Sequence, residues 1–227
     1  MTRNLTLGID TAAGIGVGLA GPDGISTRTV SDTRVHVEQL TPTIAALLSD
    51  GAATWSDIAR IGVGVGPGPF TGLRVGIVTA QALGFALGVP VTGVCSLDVV
   101  ARDVVGAGTD IPDEFVVALD ARRKELYWAR YDAAGARRGE PVVSAPRDLP
   151  ALPVTGPGAL LYPDVLRGRL MSFSPATVDA GLLAAHLDDL ADAGLEPLYL
   201  RKPDAESPGT RKSVLAAGTR LPETVVP

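Results

Sequence analysis

Hydrophobic positions in this chain follow two rhythms. Leu5-Thr6-Leu7-Gly8-Ile9-Asp10 is a short apolar run closed by an acid; residues 14–20 and 25–30 continue as strands around a Pro22-Asp23-Gly24 turn. The period then lengthens, and Val37, Leu40, Ile44, Leu47 and Leu48 fall on one helical face, with Pro42 at a kink or restart. Residues 61–66 return to strand and Pro67-Gly68-Pro69 breaks it. The spacing beyond predicts a long helix over 71–88, a strand over 89–94 and a shorter helix from 96.

The second half restarts the pattern. Phe115-Val116-Val117-Ala118-Leu119-Asp120 copies the first strand and again ends in an acid. Strands are expected over 125–132 and 138–144, and Pro153-Val154-Thr155-Gly156-Pro157-Gly158 echoes Val63-Gly64-Val65-Gly66-Pro67-Gly68. A helix over 179–193 closes the half, whose middle helix is cut down. Two copies of a β-β-β-α-β-α unit, the second reduced, predict an α/β fold of two lobes around a cleft. The plan resembles the actin-like, RNase H-like superfamily of actin, sugar kinases and Hsp70. The expected boundaries are 1–109 for the first lobe, 110–201 for the smaller second lobe and 202–227 for a disordered tail.

Composition narrows the classes. The 227 residues are 46% apolar and 20% charged with net charge −5, which fits a globular chain and not a free-standing nucleic-acid binder. One cysteine, Cys95, excludes a disulfide framework, and two histidines, His36 and His186, leave little for a metal site. Residues 75–97 carry no charge and are long enough to span a bilayer, but Gln81, Pro90 and the strand after it read as a buried helix followed by a strand. The expected location is the cytoplasm.

The cleft is poor in chemistry. Phosphates need small residues that let backbone N–H groups approach. Asp10-Thr11-Ala12-Ala13-Gly14 is only partly suitable, and Asp120-Ala121-Arg122-Arg123-Lys124 has no glycine. Residues 16–21 match G-x-G-x-x-G inside a strand that ends in a turn, which is a false positive. The loop at 66–72 lacks a P-loop's lysine ending. No base is placed for Thr11 or Thr71, so neither catalysis nor a cofactor is expected.

The predicted helix over 71–88 carries Gly72, Gly76, Ala80, Gly84 and Gly88, one small residue every four, with apolar Leu73, Ile77 and Leu83 around them. Such a stripe admits another backbone closely. It serves either packing within the chain or a subunit interface shared with the helix over 36–48.

Gly66-Pro67-Gly68-Pro69-Phe70-Thr71-Gly72-Leu73-Arg74 resembles the G-P-G-S-F-T-G-L-R signature of the TsaB (YeaZ) family of tRNA threonylcarbamoyladenosine (t6A) biosynthesis proteins. Leu7-Gly8-Ile9-Asp10-Thr11 and His36-Val37-Glu38-Gln39-Leu40 agree in order. So do Asp120-Ala121-Arg122-Arg123-Lys124-Glu125-Leu126-Tyr127 against D-A-R-x-x-E-x-Y, and Glu196-Pro197-Leu198-Tyr199-Leu200-Arg201 against P-x-Y-L-R. The match spans roughly 5–201; Pro69 and Val37 stand where the family has serine. The resemblance implies a non-catalytic scaffold that binds and stabilises the transferase TsaD, a paralog, together with the small ATPase TsaE. It implies a homodimer when TsaD is absent, and tRNA reached only through the complex. The implied interface is His36, Leu40, Ile44, Leu47, Gly72, Leu73, Gly76, Ile77, Ala80, Leu83 and Gly84. The competing class is an independent enzyme of the same fold, a small-molecule kinase or a peptidase.

Overall fold

The computed structural model describes residues 4–30, 37–108 and 110–201. The tail from 202 and His36, both named above, lie outside these. The first sheet runs β3-β2-β1-β4-β5, built from β1 (Leu5–Asp10), β2 (Ile15–Gly21), β3 (Gly24–Val30), β4 (Ile58–Gly64) and β5 (Val91–Val94). β1, β2 and β3 pair antiparallel, while β1, β4 and β5 are parallel. The second sheet runs β8-β7-β6-β9, from β6 (Glu114–Asp120), β7 (Leu126–Asp132), β8 (Arg137–Ser144) and the two-residue β9 (Val154–Thr155).

Strand alternation decides what each face of the first sheet can hold. Leu7, Ile9, Val17, Leu19, Ile61 and Val63 form one face and pack with α1 (Leu40–Asp50) and α2 (Phe70–Leu87). The opposite face is stripped of side chains: Gly8 pairs with Gly18 on β2 and with Gly62 on β4. Against this glycine row lies α4 (Ala180–Ala185), itself made of alanine, glycine and leucine. A β-carbon at Gly8 would overlap the Ala180 carbonyl and sit 3.1 Å from the Ala184 nitrogen, so only glycine fits. Asp179 caps α4, its Oδ1 accepting the Gly181 N–H at 2.7 Å.

The lobes interlock. α3 (Ser96–Ala107), which leaves β5, packs on β6 and β7 of the second sheet, whereas α4, from the second half, covers the first sheet. Leu97, Val100 and Val104 of α3 join Phe115, Val117 and Leu119 of β6 and Leu183 and Leu187 in one core. On the far side of the second sheet, Val116 and Ala118 pack with Leu149, Ala159 and Leu166.

Several expectations need adjustment. α1 starts at Leu40 after a 3-10 turn at Val37–Gln39, and Pro42 sits in its first turn, where its missing N–H costs nothing. α4 is six residues and not fifteen, because the chain after Ala185 folds into turns, with Asp189 and Leu190 N–H both donating to His186 O. The middle helix of the second half is cut down as expected, to a 3-10 turn at Pro146–Asp148.

Candidate functional site

The two acids that end β1 and β6 do not meet in one site. Asp10 faces inward beside the glycine row and is 2% exposed. Its Oδ1 accepts the Ala12 N–H at 2.8 Å and its Oδ2 the Ser96 hydroxyl at 2.5 Å. A β-carbon at position 64 would overlap this carboxylate, which explains Gly64. Burial pushes Asp10 up to about 6, against the lowering effect of those two bonds. The slit between Asp10, Gly14, Gly16, Thr29 and Val178 leaves no room for even a water-sized group, far from the roughly 300–1,000 Å³ of ligand pockets.

Asp120 shares the outward face of β6 with Val116 and Ala118 and lies near Tyr162, whose phenol is raised first by burial and then by the Asp120 charge. Its Oδ1 accepts the Arg122 N–H at 2.7 Å, and its Oδ2 pairs with the Arg122 guanidinium at 3.2 Å. Arg122, Arg123 and Lys124 all take left-handed backbone, with φ of 59°, 54° and 62°, a conformation that costs a non-glycine residue roughly 1–2 kcal/mol.

The signature segments converge on one edge of the molecule. Leu198 N–H donates to Val65 O at 2.8 Å, and Tyr199 stacks on Phe70 with ring centroids 4.8 Å apart. Arg74 lies over the Phe70 ring at 4.0 Å and donates to the Tyr199 hydroxyl at 2.8 Å. Arg201 donates to Ala121 O at 2.9 Å and pairs with the Glu125 carboxylate. Residues 198–201 thus strap the loop before α2 to the loop after β6. Separation in sequence hid this strap: no local periodicity links 66–74 to 120–125.

The small-residue stripe faces the chain itself. Gly76 is seated on Thr11, whose hydroxyl donates to Gly72 O at 2.9 Å, and Gly84 on Val89 and Val91. Leu40, Ile44, Leu47, Leu73, Gly76, Ile77, Ala80 and Gly84 are all buried in the chain, and Gly72 and Leu83 are half-buried. Of the two uses read from the stripe, packing within the chain is the one seen here: the loop after β1 and the return to β5 lie against it. What α2 turns outward is Thr71, Arg74, Val78, Gln81, Ala82, Phe85 and Ala86; Val78 is 60% exposed and Phe85 92%. Val78 and Phe85 are two turns apart on one face. On the same side of the sheet α1 exposes only small or polar groups, Thr41, Pro42, Ala45, Ser49 and Asp50. α2 is long and apolar enough to cross a membrane by composition alone, at mean hydropathy 1.4. In the fold it lies on β4, β1 and β5.

Of the histidines, His186 Nδ1 lies 3.2 Å from the Arg102 guanidinium and 3.1 Å from the Asp189 carboxylate. Cys95 is buried and its thiol pushed up to about 12 by burial, then by Asp98. Among the described residues no three His, Cys, Asp or Glu side chains cluster as metal ligands.

A family model described as tRNA N6-adenosine threonylcarbamoyltransferase (TsaD) matches residues 25–209. An uncharacterised protein of Mycobacterium tuberculosis is 44% identical over 80% of this chain and 82% of its own length. The tRNA threonylcarbamoyladenosine biosynthesis protein TsaB of Escherichia coli is 30% identical over 65% of this chain and 58% of its own. In three dimensions, YeaZ from Pseudomonas aeruginosa superposes with a TM-score of 0.69 at 26% identity, covering 87% of this chain and all of that one. Together with the strap that joins the signature segments, these similarities show that the chain belongs to the TsaB (YeaZ) family.

Proposed function

We propose that this chain is a non-catalytic scaffold of t6A biosynthesis in the cytoplasm. It binds and stabilises a TsaD-type transferase, works with a TsaE-type ATPase, and pairs with a second copy of itself when the transferase is absent. The observation that carries this reading is the outward face of α2. A 92% exposed phenylalanine and a 60% exposed valine stand on a helix fixed from below by the chain's own packing, which is the anatomy of an anchor residue awaiting a pocket. The names of the E. coli and Bacillus subtilis relatives place t6A biosynthesis in the family. Two further features support the absence of catalysis: the slit at Asp10 is too small for a nucleotide, and the acids of β1 and β6 diverge.

The test is capture of the tagged protein from its own cell extract, with mass spectrometry of what accompanies it. A TsaD-type transferase in near-equal amount is expected. Phe85→Asp should weaken that association about thirtyfold or more, a loss of roughly 2 kcal/mol, and leave Tm unchanged because Phe85 touches little of its own chain. A preparation free of any such partner, or micromolar ATP binding by the isolated chain, would favour the independent enzyme.

A further inference from the structure

The turn at 122–124 is built at a cost that its geometry alone does not require. A turn of three successive left-handed residues is cheapest with glycine or asparagine, and this chain uses 27 glycines elsewhere. Here it places Arg, Arg and Lys, all exposed, with φ of 59°, 54° and 62°. Strained backbone persists where the surroundings over-determine it and the side chains matter. The surroundings do so: Asp120 Oδ1 holds the Arg122 N–H, Glu125 N–H donates to Arg122 O at 3.0 Å, and Arg201 fastens Ala121 O and the Glu125 carboxylate. The strap that carries Arg201 also holds the exposed Arg74 against Tyr199, so the cations lie along one edge of a protein whose net charge is −5. Asp120 is bonded to the turn through both the Arg122 N–H and the Arg122 guanidinium, while the Glu125 carboxylate pairs with Arg201.

Three side chains leaving consecutive residues of a tight left-handed turn fan apart instead of converging on one small anion. That suits an extended polyanion met along its backbone, where each cation neutralises its own phosphate without reading sequence. The geometry points to a phosphodiester contact: Arg122, Arg123 and Lys124 bind the backbone of the tRNA while the transferase handles the base. The contact rests on the t6A reading above and departs from the sequence expectation that tRNA is reached only through the partner.

The test titrates a labelled in vitro transcribed tRNA with the chain alone and with its transferase complex, across a series of salt concentrations. The comparison is wild type against the triple variant Arg122→Gln, Arg123→Gln, Lys124→Gln. The variant should still form the complex, bind tRNA at least tenfold more weakly, and show a salt slope shallower by about two to three. The double variant Arg147→Gln, Arg167→Gln, which removes exposed cations elsewhere, should change neither readout by more than twofold. Equal affinity and slope for wild type and triple variant, with or without transferase, would overturn the assignment. Loss of complex formation by the triple variant would overturn it too, by showing that the turn docks protein. A wild-type chain that ignores the transferase would sink the scaffold reading, while the titration of the chain alone still decides the RNA contact.

Discussion

β1 and β6 carry the same pattern to the same final residue type, yet the fold uses their two faces in opposite ways. On β1 the even positions, Gly8 and Asp10, look inward at α4, and the bulky odd positions support α1 and α2. On β6 it is the odd positions, Phe115, Val117 and Leu119, that look inward at α3, and Asp120 looks out with Ala118. A side-chain period of two means that one residue of offset exchanges the faces. The first lobe spends its inner face on backbone-to-backbone contact; the second fills that layer with side chains. Asp10 became a buried strut, and Asp120 became the anchor of a cationic turn at the surface.

This contrast can be broken most severely at Gly8. Gly8→Val drives a side chain into the Ala180 carbonyl. It should cost at least about 3 kcal/mol, lowering Tm by roughly 6–12 °C in thermal unfolding. A loss under about 1 kcal/mol would mean that α4 does not lie at backbone distance.

Asp10 offers a pH-dependent test of the same packing. Its folded value, raised from 3.8 to about 6, means the native state holds the proton more tightly than the unfolded chain. Stability from this group is therefore fully present below about pH 4 and lost as pH rises through 6, by up to about 3 kcal/mol. Asp10→Asn should flatten that slope in denaturant titrations between pH 4 and 7, while a slope unchanged by the substitution would contradict the buried strut.

The smallest effect belongs to the matching position on β6. Ala118→Gly removes one methyl from the Leu166 layer and loosens the strand. It should cost about 1 kcal/mol, or 2–4 °C in Tm. A penalty as large as that at Gly8 would erase the distinction between the two lobes.

Much of this was legible in the residues. Unbroken apolar runs ending at turns gave β1, β2 and β6, and 3.6-residue spacing gave α1 and α2 to within a few positions. The small-residue stripe on α2 showed which face packs closely but not against what, since periodicity carries direction within a helix and nothing about its neighbour. Thr11 and Val91 claimed that face, and the large apolar groups that α2 leaves exposed are Val78 and Phe85, which read as ordinary apolar positions in an apolar helix. The opposite orientation of Asp10 and Asp120 was hidden because both strands are buried on both faces, and such strands show no alternation from which an orientation could be read. The left-handed turn was hidden as well, since no glycine marks it.

The crossing of α3 and α4 has a consequence for how the chain is made. The glycine face of the first sheet is complete once β5 ends at Val94, but its cover begins at Ala180. At roughly 5–20 residues per second of synthesis, several seconds pass before α4 leaves the ribosome. During that interval a finished sheet exposes bare backbone and an unfilled layer to solvent. The first lobe is thus a client for protection during translation, and a chain cut short before α4 is an aggregation hazard rather than a smaller domain.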